Sequence, residues 1–435
     1  VVNIESTVDF DRTFLFVMDK NFQKTTLPNG LRIVTERHDN VHSATIGVWI
    51  EGGSVYEKEK ERGLAHLLEH LVFKGTQKRS MMQIARAMDE IGGQMNAFTE
   101  RELVCYHVKV LAEQTGFALE LLCDFLARPL LREDDLELER GVVLEEIRSV
   151  EDAPEELVED VFTESIWPRS RWGRAILGTE ESVSNLSVED MRGFMKAHYT
   201  PKNIVVAAVG DVHHDAIVRR AEKLLADLPK SPAHRLPPAP AITANDVQLK
   251  RDTEQVHIIC GTRGYSYQDE NRYAGWLLDA ILTGGYSSRL FQEIREKRGL
   301  CYNIGPLSAS YRNAGFWAVE TSVAPENARK TIQILGRELK KVREQGVGIA
   351  ELKRAQTMTK INLLLSEESS SAQMTRIARN ELCFGRQRTT EEILACVLAV
   401  SRDEVQAAAR EIFSEEHFNL AAVGPLEEKL HVELT

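Results

Sequence analysis

The sequence predicts an α+β fold made of two homologous halves, each a mostly antiparallel sheet flanked by helices. Three observations carry this. Short runs alternate apolar and polar residues, while longer stretches shift to helical spacing. A proline-rich stretch, "LPKSPAHRLPPAPA" (228–241), divides the chain near its middle. Segments of the first half also recur in the second at a nearly constant offset. A repeat on the scale of half the chain signals two copies of one structural plan.

The elements follow in order. "LRIVTER" (31–37) and "ATIGVWIEGG" (44–53) alternate and read as strands. Between Glu59 and Phe73 the spacing turns helical, with Leu64, Leu67, Leu68 and Leu71 at i, i+3, i+4 and i+7. "SMMQIARAMDEIGG" reads as a helix stopped by Gly92 and Gly93. "QMNAFTERELVCYHVKVL" reads as a strand pair, and the stretches "AEQTGFALELLCDFLARPLL" and 132–166 as helical. "NIVVAAVGDV" (203–212) is a buried strand ending at glycine. The stretch 228–241 holds five prolines in fourteen residues, which excludes a helix or a central strand and marks a linker. The expected organisation is an extension over 1–22, a first half over 23–227, the linker over 228–241 and a second half over 242–435. Within the extension, Met18 would serve as a start, and the segment lacks the basic and apolar regions of a signal peptide.

The second half answers the first. "NIVVAAVGDV" recurs as "FNLAAVGPL" (418–426), with Gly424 in the place of Gly210. "SVYEKEKERGLAHLLEHLV" (54–72) is answered by "GYSYQDENRYAGWLLDAIL" (264–282) at almost the same offset.

Bulk composition narrows the function. With 43% hydrophobic and 28% charged residues the chain is ordinary for a globular protein. No apolar run reaches the roughly 18 residues of a membrane span. A formal net charge of -12 excludes binding to a nucleic-acid backbone as the main task. The six cysteines include no CxxC pair and read as buried free thiols of a reducing compartment.

The chemistry concentrates in "HLLEH" (66–70). Histidines at i and i+4 share one helix face, so the imidazoles of His66 and His70 can converge on one ion, and Glu69 points to the same side. A carboxylate beside a zinc-bound water can accept its proton. The bland alternative is a hydrogen-bonded helix face. The repeat weighs against it, because Trp276, Asp279 and Ala280 stand at the positions of His66, Glu69 and His70 on a retained helix. Catalytic zinc takes three protein ligands and keeps an open position. Candidates for the third are Glu137, Glu139, Glu145 and Glu146 in "LELERGVVLEEIRSVED". Glu139 and Glu146 lie seven apart, on one face, and at the offset that relates Gly210 to Gly424 they meet Lys353 and Lys360. An acidic solvated helix would explain the abundance of glutamate, but not the joint loss of these positions in the second half.

These residues resemble the pitrilysin and insulysin superfamily of zinc peptidases, above all the short branch that includes mitochondrial processing peptidase β-subunits and their bacterial relatives. That family's motif is HxxEH followed, at a characteristic distance, by a liganding glutamate. Counted from His70, that distance ends on Glu146 and not on its neighbour Glu145. The resemblance implies Zn2+ held by His66, His70 and Glu146, with Glu69 as general base and Glu139 orienting a ligand. "GGQMNAFTERELVCYHVKV" resembles the family's substrate-binding edge strand, its Asn-Ala pair falling on Asn96 and Ala97; Val104 departs from the threonine common in relatives. "LFQEIREKRGLCYNIG" resembles the segment whose Arg and Tyr bind substrate near the scissile bond and stabilise the oxyanion, here Arg295 and Tyr302. "LTGGYSSRLF" fits the β-type pattern, and the long glycine-rich loop of α-subunits is absent.

The resemblance runs from about Gln23 to the end of the chain. It implies two halves facing each other across a cavity, and endopeptidase action on peptides or unfolded, presequence-like segments inside an enclosed chamber. It implies a homodimer or a heterodimer with a related chain; the missing signal segment favours a bacterial cytoplasm, with a mitochondrial matrix, after removal of a targeting segment, as the alternative. The rival expectation is a non-catalytic structural or partner subunit of the same fold, which the intact motif disfavours.

Overall fold

The computed structural model describes residues 21–230, 235–414 and 418–434. Most of the N-terminal extension, with Met18, and part of the proline-rich stretch lie outside the described residues.

The first sheet contains β1 (Phe22–Thr26), β2 (Arg32–Arg37), β3 (Ser43–Ile50), β4 (Gln94–Thr99), β5 (Val104–Leu111) and β6 (Ile204–Gly210), in the order β1-β2-β6-β3-β5-β4. The second contains β7 (Asn245–Lys250), β8 (Val256–Arg263), β9 (Cys301–Pro306), β10 (Ala309–Ser310), β11 (Gly315–Val323) and β12 (Asn419–Gly424), in the order β10-β11-β8-β12-β7 with β9 also on β11. Each sheet is antiparallel except for one pair, β2 with β6 and β7 with β12. In both, the strand read as repeated lies between its parallel and its antiparallel neighbour, β6 beside β2 and β3, β12 beside β7 and β8. β6 is buried along its whole length, which accounts for its uninterrupted apolar sequence. Both repeats end at a glycine with positive φ, +120° at Gly210 and +155° at Gly424. A Cβ would come within 2.2 Å of the Ser43 carbonyl oxygen in the first and 2.8 Å of the Gln255 carbonyl oxygen in the second.

Five helices of the first half bear on the site: α1 (Leu64–Leu71), α2 (Met81–Ile91), α3 (Thr115–Ala127), α4 (Glu133–Asp152) and α5 (Pro154–Ile166). The helical spacing from Glu59 to Phe73 yields a shorter α-helix than it implies, flanked by 3-10 turns at Glu59–Glu61 and Val72–Lys74. The cause is Gly63, whose φ of +84° starts α1 afresh. The helical stretch 132–166 divides at Ala153, held extended by the proline that follows, and Pro154 opens α5 where its missing N–H leaves no gap.

The sheets are covered crosswise. α5 leaves the first half and lies on the second sheet, where Phe162 meets Phe316 edge-on with ring centroids 5.5 Å apart. Ile259, Ala318, Ala421 and Val423 thereby join the core that contains Phe162 and Ile166. The answering helix of the second half, Ser370–Phe384, lies on the first sheet. Its Met374, Ile377, Ala378 and Leu382 pack with Val34, Trp49, Val205 and Val209. The Trp49 indole N–H donates to Met374 Sδ at 3.0 Å, and Arg376 pairs with the buried Glu36 at 2.8 Å. A cleft of about 870 Å3 lies between the halves, lined by Phe98, Glu100, His107, Tyr267, Ser310 and Arg379 among others. His66, Glu69, His70 and Glu146 are not in its lining.

Because each half closes the other's core, Phe162→Ala should lower the stability of the whole chain by about 3–5 kcal/mol. Urea denaturation followed by the fluorescence of Trp49 in the first sheet and Trp317 in the second, each kept as the only tryptophan, should show one shifted transition. Separate transitions would contradict the crosswise core.

Candidate metal centre

α1 is held by both its side and its end. Leu64, Leu67, Leu68 and Leu71 are buried in the core, which turns His66, Glu69 and His70 outward together. At its N-terminus Gly63 sits so close to Leu177 that a Cβ would lie 2.4 Å from the Leu177 carbonyl oxygen. The side chain of Glu57, fully buried, accepts hydrogen bonds from the N–H groups of Gly63 at 3.1 Å and Ala65 at 2.8 Å. It caps the helix from outside the usual N-cap position. Burial pushes its carboxyl up to about 8, against the pull of the two N–H donors and Arg174.

α4 packs beside α1 and supplies the acidic side. His66, His70 and Glu146 offer three ligand atoms all within 4.8 Å of one another. Glu146 lies 3.7 Å from His66 Nε2 and 3.8 Å from His70 Nε2, and the two rings are 4.8 Å apart. These gaps are too long for hydrogen bonds. They approach the spacing of about 3.4 Å between two ligands on a tetrahedral ion with bonds near 2.0–2.1 Å. The donor set therefore fits a divalent metal. Burial, and next the neighbouring His70, lower the His66 imidazole to about 4, so it is neutral near pH 7 with a lone pair to give.

Glu139, 6% exposed, takes His70 Nδ1 at 3.0 Å and forms an ion pair with Lys74 through its other oxygen. His70 then donates from Nδ1 and turns Nε2 toward the cluster. His66 has no such holder: its Nδ1 is buried without a partner among the described residues. Glu69 is held by Thr99, whose hydroxyl donates to Oε2 at 2.5 Å. Burial raises the Glu69 carboxyl, opposed by that hydrogen bond.

The other expected residues lie on other elements. Asn96 and Ala97 are on β4, the edge of the first sheet, as the strand pairing requires. Asn96 Oδ1 accepts from the Ala97 N–H at 2.9 Å. Arg295, in the π-helical turn Phe291–Glu296, lies over the Tyr302 ring at 5.4 Å, and Tyr302 is 83% exposed. Among the described residues no hydrogen bond, ion pair or ring contact joins Arg295 or Tyr302 to His66, Glu69, His70 or Glu146. Sequence reading missed Glu57, Lys74 and Thr99. Lys74 alone had a local signal, one helical turn beyond His70; the other two act across folds of the chain.

Comparison with known proteins places these features in a family. The model described as "Insulinase (Peptidase family M16)" matches residues 32–180, a span containing the whole cluster. The model described as "Peptidase M16 inactive domain" matches residues 185–359, which contain Arg295 and Tyr302. A zinc protease of Streptomyces coelicolor is 39% identical over 416 residues, covering 94% of this chain and 90% of its own. YmxG, a zinc protease of Bacillus subtilis, is 34% identical over 403 residues, covering 93% and 98%. Two solved structures share the fold. One, titled peptidase M16 inactive domain, from Pseudomonas fluorescens, has a TM-score of 0.87 at 18% identity, over 95% of this chain and 100% of its own. The other, a protease from Helicobacter pylori, has a TM-score of 0.86 at 22% identity, over 93% and 99%.

Two measurements follow from this geometry. Glu139→Gln should weaken metal affinity about 10–100-fold in chelator competition, by releasing the orientation of His70; unchanged affinity would contradict that role. Glu57 gives a pH dependence. Its carboxyl is raised in the folded state, so its stabilising effect is fully present below pH 4.5, the unfolded value, and is lost as pH rises through about 8. Relative to Glu57→Gln, the metal-free wild type should lose stability across that window, at most about 1.4 kcal/mol per pH unit. Parallel urea midpoints for the two proteins from pH 5 to 8 would refute it.

Proposed function

Since the chain belongs to the insulinase peptidase family, M16, we propose that it is a zinc-dependent endopeptidase acting on extended peptide segments. One observation carries the reading: two imidazoles and a carboxylate converge from α1 and α4, with a second carboxylate, Glu69, held beside them. His66, His70 and Glu146 are the proposed ligands, and the names of the relatives support zinc as the metal. Bound there, zinc supplies Lewis acidity for attack on a peptide carbonyl. Glu69 takes the proton of the attacking water on Oε1, the oxygen that Thr99 leaves free, and returns it to the nitrogen of the departing amine. Glu139 keeps Nε2 of His70 directed at the ligand position.

β4 supports the choice of substrate. An extended peptide added to a sheet edge is gripped through its backbone, which suits unfolded segments of varied sequence. Asn96 and Ala97 are the proposed contacts. We assign catalysis to the half spanning 23–227, and to the half spanning 242–435 the Arg295–Tyr302 pair that binds substrate beside the scissile bond. The chain would work as a homodimer or as a heterodimer with a related chain. The family description "inactive domain" falls on a stretch that carries Trp276, Asp279 and Ala280 where the first half carries His66, Glu69 and His70, so it does not bear on the cluster. Among the described residues no helix is long and apolar enough to cross a membrane. The bacterial relatives support a bacterial rather than a mitochondrial setting.

Glu69→Gln should keep stoichiometric zinc by metal analysis and lose cleavage of a quenched peptide by about 10²–10⁴-fold. His66→Ala should lose both zinc and cleavage. Full turnover by the first variant, or full zinc in the second, would sink the assignment.

A further inference from the structure

The one hydrogen bond that the Glu69 carboxylate accepts among the described residues comes from the strand proposed to receive the peptide. The stereochemistry of that strand gives the contact a direction. Glu100 N–H donates to the Leu103 carbonyl, and the pairing of β4 with β5 runs without a bulge from Thr99 opposite Val104 to Gln94 opposite Lys109. Even-numbered residues of β4 therefore turn their N–H groups toward β5, and Met95, Ala97 and Thr99 turn theirs to the open edge. The side chains of these odd-numbered residues share one face. Met95 and Ala97 pack on the main core under α1, and Thr99 reaches Glu69. One residue thus presents its backbone to the peptide edge and its hydroxyl to the base.

We infer that Thr99 is a positioning residue: its hydroxyl holds Glu69 Oε2 so that Oε1 alone faces the attacking water, and ties that orientation to the strand edge on which the peptide lies. The inference rests on the zinc peptidase reading. An ionised carboxylate has no proton to give, so the hydroxyl must be the donor, and a hydroxyl bonded to a charged acceptor makes one of the stronger hydrogen bonds. The last torsion of a glutamate is broad and two-fold, so nothing intrinsic to Glu69 selects which oxygen faces outward. The branched Thr99 side chain is stiff about χ1, which makes the strand a firm mount.

The second half holds a rival explanation. There Ser308, just beyond β9, approaches Asp279 Oδ1 at 3.4 Å, at the position answering Glu69 and without any ligand histidines nearby in the repeat. A hydroxyl-to-carboxylate contact therefore also exists where it serves only to anchor a helix. In the first half the hydroxyl is within full hydrogen-bonding distance, and Glu69 lacks the second tie that Asp279 takes from Thr283 within its own helix.

The test compares Thr99→Val, which keeps the shape and removes the donor, with Thr99→Ser, which restores the donor, in zinc-loaded full-length protein. Expected for Val is a fall in kcat of about tenfold or more with KM changed less than about twofold, and for Ser a return toward wild type. Zinc stoichiometry and chelator competition should match wild type in both. A crystal structure of metal-free Thr99→Val should show the Glu69 carboxylate rotated or split between orientations. Wild-type kcat in Val, a loss that Ser fails to restore, a change confined to KM, or loss of zinc would each overturn the role. Wild-type protein without zinc-dependent cleavage would instead defeat the peptidase reading, and an unmoved Glu69 in the Val crystal would overturn the positioning role independently of activity.

Discussion

The rotation of α1 about its own axis is the constraint on which the site depends. Four leucines on one side are sunk in the core, so the opposite side has no freedom in what it presents. Gly63 and the buried Glu57 fix where the helix begins, and hence the height of each residue above the sheet. A slip of one residue would rotate the histidines by about 100°, out of reach of Glu146. The cluster gains its accuracy from the hydrophobic side of a two-turn helix, whose own hydrogen bonds would be too few to hold it in water.

Around α1 the site is assembled from elements with separate tasks. α4 brings Glu146 to 3.8 Å from His70 Nε2 and Glu139 to His70 Nδ1 at 3.0 Å, which sets the tautomer of His70. β4 brings the open edge and the hydroxyl on Glu69. Electrostatics agrees with this division. Burial lowers the His66 imidazole and raises the Glu69 carboxyl, which leaves one group prepared to donate a lone pair and the other to accept a proton.

The legible part of this molecule is the part that local pattern controls. Leucine spacing located α1, alternation located β2 and β3, and the answering glycines Gly210 and Gly424 marked strands with the same neighbours in both sheets, while β7 to β11 went unread. The two histidines with Glu69, and the absence of histidine at the answering positions Trp276 and Ala280, point to the cluster from sequence alone. What stayed hidden depends on contacts between distant segments. Nothing in "PEELVEDVFTESI" says which sheet its apolar face will cover, since either offers an apolar partner. Glu57 lies six residues before Gly63, at the helix start that it caps, and Thr99 is thirty residues from its partner. The Arg295–Tyr302 pair was legible as a pair, and the structure brings the two together, with Arg295 over the Tyr302 ring.

The crosswise placement of α5 and Ser370–Phe384 bears on how such a chain arises. A protein carrying one copy of this repeat would need to cover its sheet with a helix borrowed from a twin, so its folded form would be a pair exchanging identical arms. Joining the copies end to end makes that exchange internal and independent of protein concentration. It also releases the halves from symmetry. Each still depends on the other for its core, yet only one carries the two imidazoles, and the other has Lys353 and Lys360 where the first has Glu139 and Glu146. The fused chain is in this sense a dimer that has become able to specialise.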